Sequence, residues 1–324
     1  MTTDVSFIVT GGAGFIGSNL VAALNARGHK DILVADRLDH EDKKRNLAAL
    51  RYREYLDKDD LRRRVRGDAL DRVDTVFHLG ACSSTTVMDE AFLADNNCAY
   101  TRELCQWCLE RGVRFVYASS AATYGDGSLG YSDDEALVPR LQPLNPYGKS
   151  KQEVDFWVLR EGLFDRVVGI KYFNVYGPGE DHKGDMRSMV NKAYAQVLEK
   201  GRVGLFKSYR SGCADGCQQR DFVDVRDAVA VTLFFHDEPA VSGLFNCGTG
   251  TARTWLDLAN ALFSAMAREP CIEFIDMPEV IRDKYQYYTR ADMRKLRAAG
   301  YTHPFRSVEE GVGDYVRGYL ARRR

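Results

Sequence analysis

Apolar residues follow one another along this chain in two rhythms. Short runs rich in β-branched and aromatic residues, Phe7 to Thr10, Asp31 to Ala35, Asp74 to Leu79, Arg114 to Ser119, Gly169 to Asn174 and Gly243 to Asn246, read as strands. Between them the spacing changes to the helical period, over Phe15 to Leu24, Asp95 to Arg111 and Tyr147 to Glu161. Strands separated by helices require a parallel sheet with right-handed crossovers and helices on both faces. The predicted class is α/β, a doubly wound parallel sheet.

Beyond Asn174 the pattern is less regular. The glycine- and cysteine-containing loop Ser208 to Gln219 and a helical C-terminal stretch, Arg290 to Arg324, are expected to form a smaller, mostly helical lobe. Such a lobe would cap the carboxyl ends of the strands, where open α/β sheets bind ligands. Because Phe222 to Phe235 and Gly243 to Asn246 read as a return to the larger lobe, the division is interleaved. Residues 1–173 with about 221–250 are assigned to the larger domain, and about 174–220 with 251–324 to the smaller.

Composition narrows the partners. With 324 residues, 45% hydrophobic and 28% charged, the chain is an ordinary globular protein and not a disordered, collagen-like or coiled-coil one. Lys plus Arg number 45 against 46 Asp plus Glu, so the net charge of −1 gives no global field for nucleic acid or anionic lipid. An anionic ligand must be held locally. No apolar run approaches the ~18 residues of a membrane span, and Met1-Thr2-Thr3-Asp4 lacks the basic start of a signal peptide. A cytoplasmic protein without a membrane partner is expected. Eight cysteines are too sparse for a disulfide scaffold. Cys105 and Cys108 fall in a helical pattern and Cys213 with Cys217 in a loop, so buried and surface thiols are expected and no metal. Arg62 to Arg64 and Arg322 to Arg324 read as solvated surface.

Two patterns carry chemistry. Gly11-Gly12-Ala13-Gly14-Phe15-Ile16-Gly17 lies between a strand and a helix. Gly11 suits a tight turn, Gly14 lets backbone approach a pyrophosphate, Gly17 lets the helix pack closely, and the helix start offers free N–H groups to the anion. Asp36 follows nineteen positions after Gly17 at the end of the next strand, where a carboxylate bonds the ribose hydroxyls of NAD. Arg37 beside it, with Lys43 and Lys58, could instead neutralise the 2′-phosphate of NADP, and composition leaves both cofactors open. The second pattern is Tyr147 and Lys151, one helical turn apart. A nearby ammonium favours the phenolate, so this pair is expected to exchange a proton near neutrality. Ser119 and Ser120 end the preceding strand and would bring a hydroxyl into the same crevice.

The glycine turn, the strand end Ser119 to Gly125, the Tyr147/Lys151 pair and Arg220 to Val225 resemble the extended short-chain dehydrogenase/reductases acting on nucleotide sugars, a Rossmann-fold family. Gly80 to Thr86, Tyr172 to Pro178 leading into His182-Lys183-Gly184, and Lys284-Tyr285-Gln286 resemble more narrowly its ADP-L-glycero-D-manno-heptose 6-epimerases, of lipopolysaccharide inner-core synthesis. The resemblance implies a redox epimerisation. NADP, with NAD possible, removes hydride from C6 of ADP-D-glycero-D-manno-heptose and returns it to the opposite face, because that C–H bond is not acidic until the carbon is oxidised. It further implies Tyr147 and Lys183 as the two acid/base residues, Ser120 bonding the reacting oxygen, and Lys151 bonding the nicotinamide ribose.

By the same resemblance the cofactor shell comprises Gly11, Gly14, Phe15, Ile16, Gly17, Asp36, Arg37, Lys43, Lys58, Leu79, Gly80, Ala81, Cys82, Ser83, Asn96, Lys151 and Val175. Ser83, Asn174, Asp185, Lys192, Phe206, Lys207, Ser208, Tyr209, Arg220 and Tyr285 would surround the ADP-sugar, with the Arg220 fork suited to its diphosphate. The family implies a homopentamer. A 4,6-dehydratase would need acids where Ala121 and Ala122 stand. A 4-epimerase of the UDP-galactose type keeps the same Tyr and Lys, and a non-catalytic NADP-sensing regulator has no use for a tuned phenol.

Overall fold

The computed structural model describes residues 6–70, 72–282 and 285–323. Met1 to Asp4, Lys284 and Arg324, all drawn on above, lie outside the described residues. Twelve strands are described: β1 (Phe7–Thr10), β2 (Ile32–Asp36), β3 (Glu54–Asp57), β4 (Thr75–His78), β5 (Arg114–Ser120), β6 (Val168–Tyr172), β7 (Asn174–Tyr176), β8 (Val203–Phe206), β9 (Gln219–Asp224), β10 (Gly243–Cys247), β11 (Ala252–Thr254) and β12 (Ile272–Ile275). Seven of them form one parallel sheet in the order β10-β6-β5-β4-β1-β2-β3.

The central strands are apolar because both faces are covered. In β1, Phe7 and Val9 enter the core beneath the helix Phe15–Ala26, while Ile8 between them enters the core on the opposite face, with Leu104, Trp107 and Val158. Helix Val225–Asp237 packs beside Phe15–Ala26 on the first face, and helices Tyr100–Glu110 and Pro146–Arg160 cover the second. Strand order reverses between β1 and β4, so a crevice opens beyond their carboxyl ends, at the loops Gly11 to Gly17 and Leu79 to Ser83.

The remaining strands make two small sheets, β11-β9-β7 and β12-β8. With helices Met189–Lys200, Trp255–Ala265 and Val308–Gly318 they enclose a further core of Tyr176, Val197, Leu205, Phe222, Leu262 and Tyr315. The lobe beyond Asn174 thus carries sheet as well as helix. Phe222 to Asp224, expected in the larger lobe, pair with β7, as the preceding Gln219 to Asp221 pair with β11, and of that segment the helix from Val225 onward joins the larger layer.

Two helices differ from expectation. In place of one helix from Asp95 to Arg111, a π-helical segment, Ala94–Ala99, leads into the helix Tyr100–Glu110. Asn97 turned inward within it gives the wider turn a tertiary anchor: its side chain accepts from the Cys82 N–H at 2.9 Å, donates to the Cys82 carbonyl at 3.0 Å and donates to Ser150 Oγ at 3.0 Å. The C-terminal stretch is broken into Arg294–Ala298 and Val308–Gly318. Pro304 has no N–H for a continuous helix, and the second helix starts afresh at a capping box between Ser307 and Glu310.

Candidate active site

A cleft of about 740 Å³ runs from the first glycine turn, across the ends of β5 and β6, to the small sheets. At its sheet end Gly11 takes φ +65°, and a methyl built on Gly17 would overlap the Gly11 carbonyl and lie 2.8 Å from Gly12 Cα. Glycine alone lets the helix start this close to the turn. That helix is capped by Gly14 with no side-chain hydrogen bond and has no acid in its first turn. Free N–H groups and the dipole therefore face the cleft, which fits a pyrophosphate. Asp36 closes the turn by accepting from the Ala13 N–H at 3.0 Å, and Lys43 meets it at 3.1 Å.

Deeper in the cleft, Tyr147 and Lys151 project from one face of the helix Pro146–Arg160, which starts with an Asn145 cap on the Gly148 N–H and a proline in its first turn. Both approach β5: the Tyr147 phenol faces Ser120, and Lys151 donates to the Ala118 carbonyl at 2.8 Å. The phenol is not pushed toward ionisation, as the sequence reading expected. Burial raises its pKa, a Ser120 hydrogen bond only partly opposes this, and the Lys151 ammonium is turned to the Ala118 carbonyl. Burial instead lowers Lys151 to about 8. On the facing wall Lys183 lies over the Phe15 ring at 5.4 Å, its pKa lowered by burial against a smaller opposing effect of Glu180. Glu180 is fully buried and accepts from Ser188 Oγ at 2.6 Å.

This geometry was compared with known proteins. A profile of the NAD dependent epimerase/dehydratase family matches residues 7–248. The chain belongs to that family. It is 54% identical over 97% of its length, and 98% of the relative's, to an ADP-L-glycero-D-manno-heptose-6-epimerase of Nitratidesulfovibrio vulgaris. It is 46% identical over 97% of its length to a Fusobacterium nucleatum protein of the same name, 98% of which is covered. Among solved structures, the Helicobacter pylori ADP-L-glycero-D-manno-heptose-6-epimerase superposes with a TM-score of 0.80 at 26% identity, over 98% of this chain and 97% of that one. A Thermus thermophilus UDP-glucose 4-epimerase in complex with NAD gives 0.75 at 27%, over 97% and 100%. This family member is an epimerase, and a nicotinamide dinucleotide is its cofactor. The narrower resemblance read from the sequence is the one its relatives carry.

Most of the residues singled out from sequence in this epimerase line the one cleft: Gly11, Gly14, Phe15, Ile16, Gly17, Asp36, Lys43, Leu79, Gly80, Ala81 and Ser83 at the dinucleotide end, Ser120, Tyr147, Lys151, Asn174, Val175 and Lys183 in the middle, and Lys192, Phe206 and Tyr285 at the far end. Others are held elsewhere. Arg37 is 58% exposed and paired with Asp39, and Lys58 is paired with Asp59. Cys82 and Asn96 sit behind the wall, both bonded to Asn97. Lys207 and Tyr209 bond Asp276, the Ser208 N–H bonds Asp215, and Asp185 is exposed with its carbonyl accepting from Lys192. Arg220 is buried just behind Tyr285, 5.1 Å from that ring and 5.7 Å from Trp255, with no carboxylate partner among the described residues. No group of three or more metal-ligating side chains occurs among the described residues, and no described helix is long and apolar enough to cross a membrane.

Sequence reasoning passed over Asp155 and Lys171, a pair buried behind Ser119, although Tyr147, Lys151 and Asp155 form an i, i+4, i+8 stripe that was there to be read. It named His182 only within a motif and gave it no role, although the side chain lines the cleft with an unpartnered Nδ1 and its pKa is lowered to about 4 by burial.

Proposed function

We propose that this epimerase inverts C6 of ADP-D-glycero-D-manno-heptose, in lipopolysaccharide inner-core synthesis, with NADP as the preferred dinucleotide. The supporting observation is the single cavity shared by the glycine turn, Ser120, Tyr147, Lys151, Lys183 and Tyr285, in a chain whose 54%-identical relative is named for that substrate. When bound, the nicotinamide supplies a place for hydride to be held and given back. The protein's own residues must then move one proton at the C6 oxygen in each half-reaction.

The two candidates are biased in opposite senses. Burial favours the neutral amine of Lys183, so that side chain is suited to take the hydroxyl proton in one sugar orientation. Burial also keeps Tyr147 a phenol, suited to deliver a proton in the other, with Ser120 steadying the oxygen. Lys151 is suited to bond the nicotinamide ribose, and Arg220, beside the Trp255 and Tyr285 rings, to hold the diphosphate while the sugar turns. Lys43 and Arg37, flanking Asp36, support a 2′-phosphate. We place the enzyme in the cytosol as a homopentamer, as its family resemblance implies.

Purified protein supplied with NADP and ADP-D-glycero-D-manno-heptose is expected to yield the 6-epimer by NMR, and to leave UDP-galactose unchanged. Conversion of UDP-galactose with the heptose untouched would replace this reading by the 4-epimerase one. Dinucleotide titrations are expected to favour NADP over NAD.

A further inference from the structure

Behind the strand end that carries Ser120 lies a closed polar network that the proposed chemistry does not use. Asp155 is fully buried and Lys171 is 1% exposed, with Nζ 2.8 Å from Asp155 Oδ2. The carboxylate also accepts from Ser119 Oγ at 2.7 Å and Tyr117 Oη at 2.9 Å, both on β5. Lys171, on β6, donates on to Thr123 Oγ1 at 2.6 Å, and Thr123 donates to the Ser120 carbonyl at 2.8 Å. The network therefore grips both neighbours of the Ser120 side chain, one through Ser119 and one through its own peptide.

Its position on the helix matters as much. Tyr147, Lys151 and Asp155 are successive turns of one face, and each meets β5: the phenol faces Ser120, the ammonium bonds the Ala118 carbonyl, and the carboxylate bonds Ser119 and Tyr117. A slip of the helix along β5 would break all three. A buried ion pair is costly to desolvate, and a well-packed apolar pair would fill the same space at no such cost. Stability alone therefore does not account for the pair, and its place beside the helix–strand contact points to positioning.

We propose that Asp155 and Lys171 are positioning residues, which lock the helix in register with β5 so that Tyr147 meets Ser120, and which set a carboxylate one turn beneath the Lys151 ammonium. The proposal rests on the epimerase reading of the cleft, since it assigns Lys151 to the dinucleotide. The charged and titratable groups facing Lys151 are Tyr147 and Asp155 on its own helix, Cys98 on the π-helical segment, Cys82 after β4, and His78 on β4. Asp155 favours the ammonium, while His78 is kept neutral by burial, near 3.

The test compares the full-length holoenzyme with three variants, reading kcat and KM against pH together with NADP affinity against pH. Asp155→Asn/Lys171→Met removes both charges without stranding either. Its NADP affinity and kcat are expected to fall off at a pH about one unit lower than in the wild type, about a fivefold loss near pH 8 that approaches tenfold by about pH 9, with KM for the sugar changed less than threefold. Lys171→Arg, which keeps the cation, is expected to restore the wild-type profile. Ser119→Ala, a mild substitution that cuts one tie to β5 and leaves the charges, is expected to lower kcat several-fold with the pH profile unmoved, and it carries the test if the double variant does not fold. Profiles of the double variant that superimpose on the wild type, or an unchanged kcat in Ser119→Ala, would overturn the proposal. Wild-type protein that neither binds a dinucleotide nor epimerises a nucleotide sugar would instead overturn the epimerase reading beneath it.

Discussion

The contact between Gly17 and the first glycine turn is the tightest constraint on the dinucleotide end of the cleft, and Gly17→Ala tests it. The added methyl would lie 2.7 Å from the Gly11 carbonyl carbon and 2.8 Å from Gly12 Cα, where 3.4–4 Å is ordinary contact. Every obstructing atom is backbone, so no rotamer change relieves the overlap, and the helix start must move off the turn. Overpacking of this kind costs ~1–3 kcal/mol, and displaced N–H groups no longer converge on the pyrophosphate. At ~1.4 kcal/mol per decade of affinity, loss of one such interaction weakens dinucleotide binding about tenfold. Isothermal titration with NADP and NAD reads the affinity, and calorimetric melting reads the stability. Gly318→Ala is the control, since its methyl meets nothing within 4 Å. The result that refutes the reasoning is wild-type affinity and melting temperature in Gly17→Ala, or equal losses in both variants.

Tyr147→Phe keeps the shape of the side chain and is expected to bind dinucleotide normally while turnover falls ~10²–10⁴-fold, and normal turnover would remove Tyr147 from the chemistry. Lys183→Met should behave likewise, and an unchanged rate would reduce Lys183 to a wall residue. For Lys151, lowered to about 8, two pH trends run in opposite directions. Above pH 8 the ammonium is lost and dinucleotide affinity should fall. Between pH 8 and the ordinary lysine value of 10.5 the unfolded chain binds the extra proton, so this group makes the apo protein more stable as pH rises. Lys151→Met should abolish both trends, which binding and melting scans across pH 7 to 10 check. Glu103, held down to about 2 chiefly by Arg62, contributes stability above the ordinary carboxylate range that is lost as pH falls toward 2. Glu103→Gln should melt lower at pH 7 and show a shallower acid decline, and an identical acid limb would refute this.

The sheet was legible because its strands are short apolar runs between helices, a pattern that local residues determine. Phe7 to Thr10 is buried at every position, and the run could be nothing else. The small sheets were not legible for the converse reason. Their strands are three to six residues long; β7 runs from exposed to buried, β8 alternates buried with half-buried positions, and β11 is half-buried throughout. Their pairings join distant segments, Asn174 with Phe222 and Ala252 with Asp221. Nothing near Ala252 announces such a partner. At the site, the Tyr147/Lys151 spacing identified neighbours on a helix but not the burial around them, and burial reversed the expected shift of the phenol. Charge pairing outside the cleft was equally invisible: Lys58, Lys207 and Tyr209 are engaged by Asp59 and Asp276, carboxylates one position away in one case and far along the chain in the other.

The Arg220 guanidinium, close to the Trp255 and Tyr285 rings and without a carboxylate partner among the described residues, has a bearing on traffic through the enzyme. On the proposed reading, two epimers bearing the same diphosphate would present that anchor with the same handle, and it would grip what enters and what leaves alike. Thermodynamic direction then comes from whichever later reaction drains one epimer, and under rapid chemistry the pace is set by how quickly a tightly held product lets go.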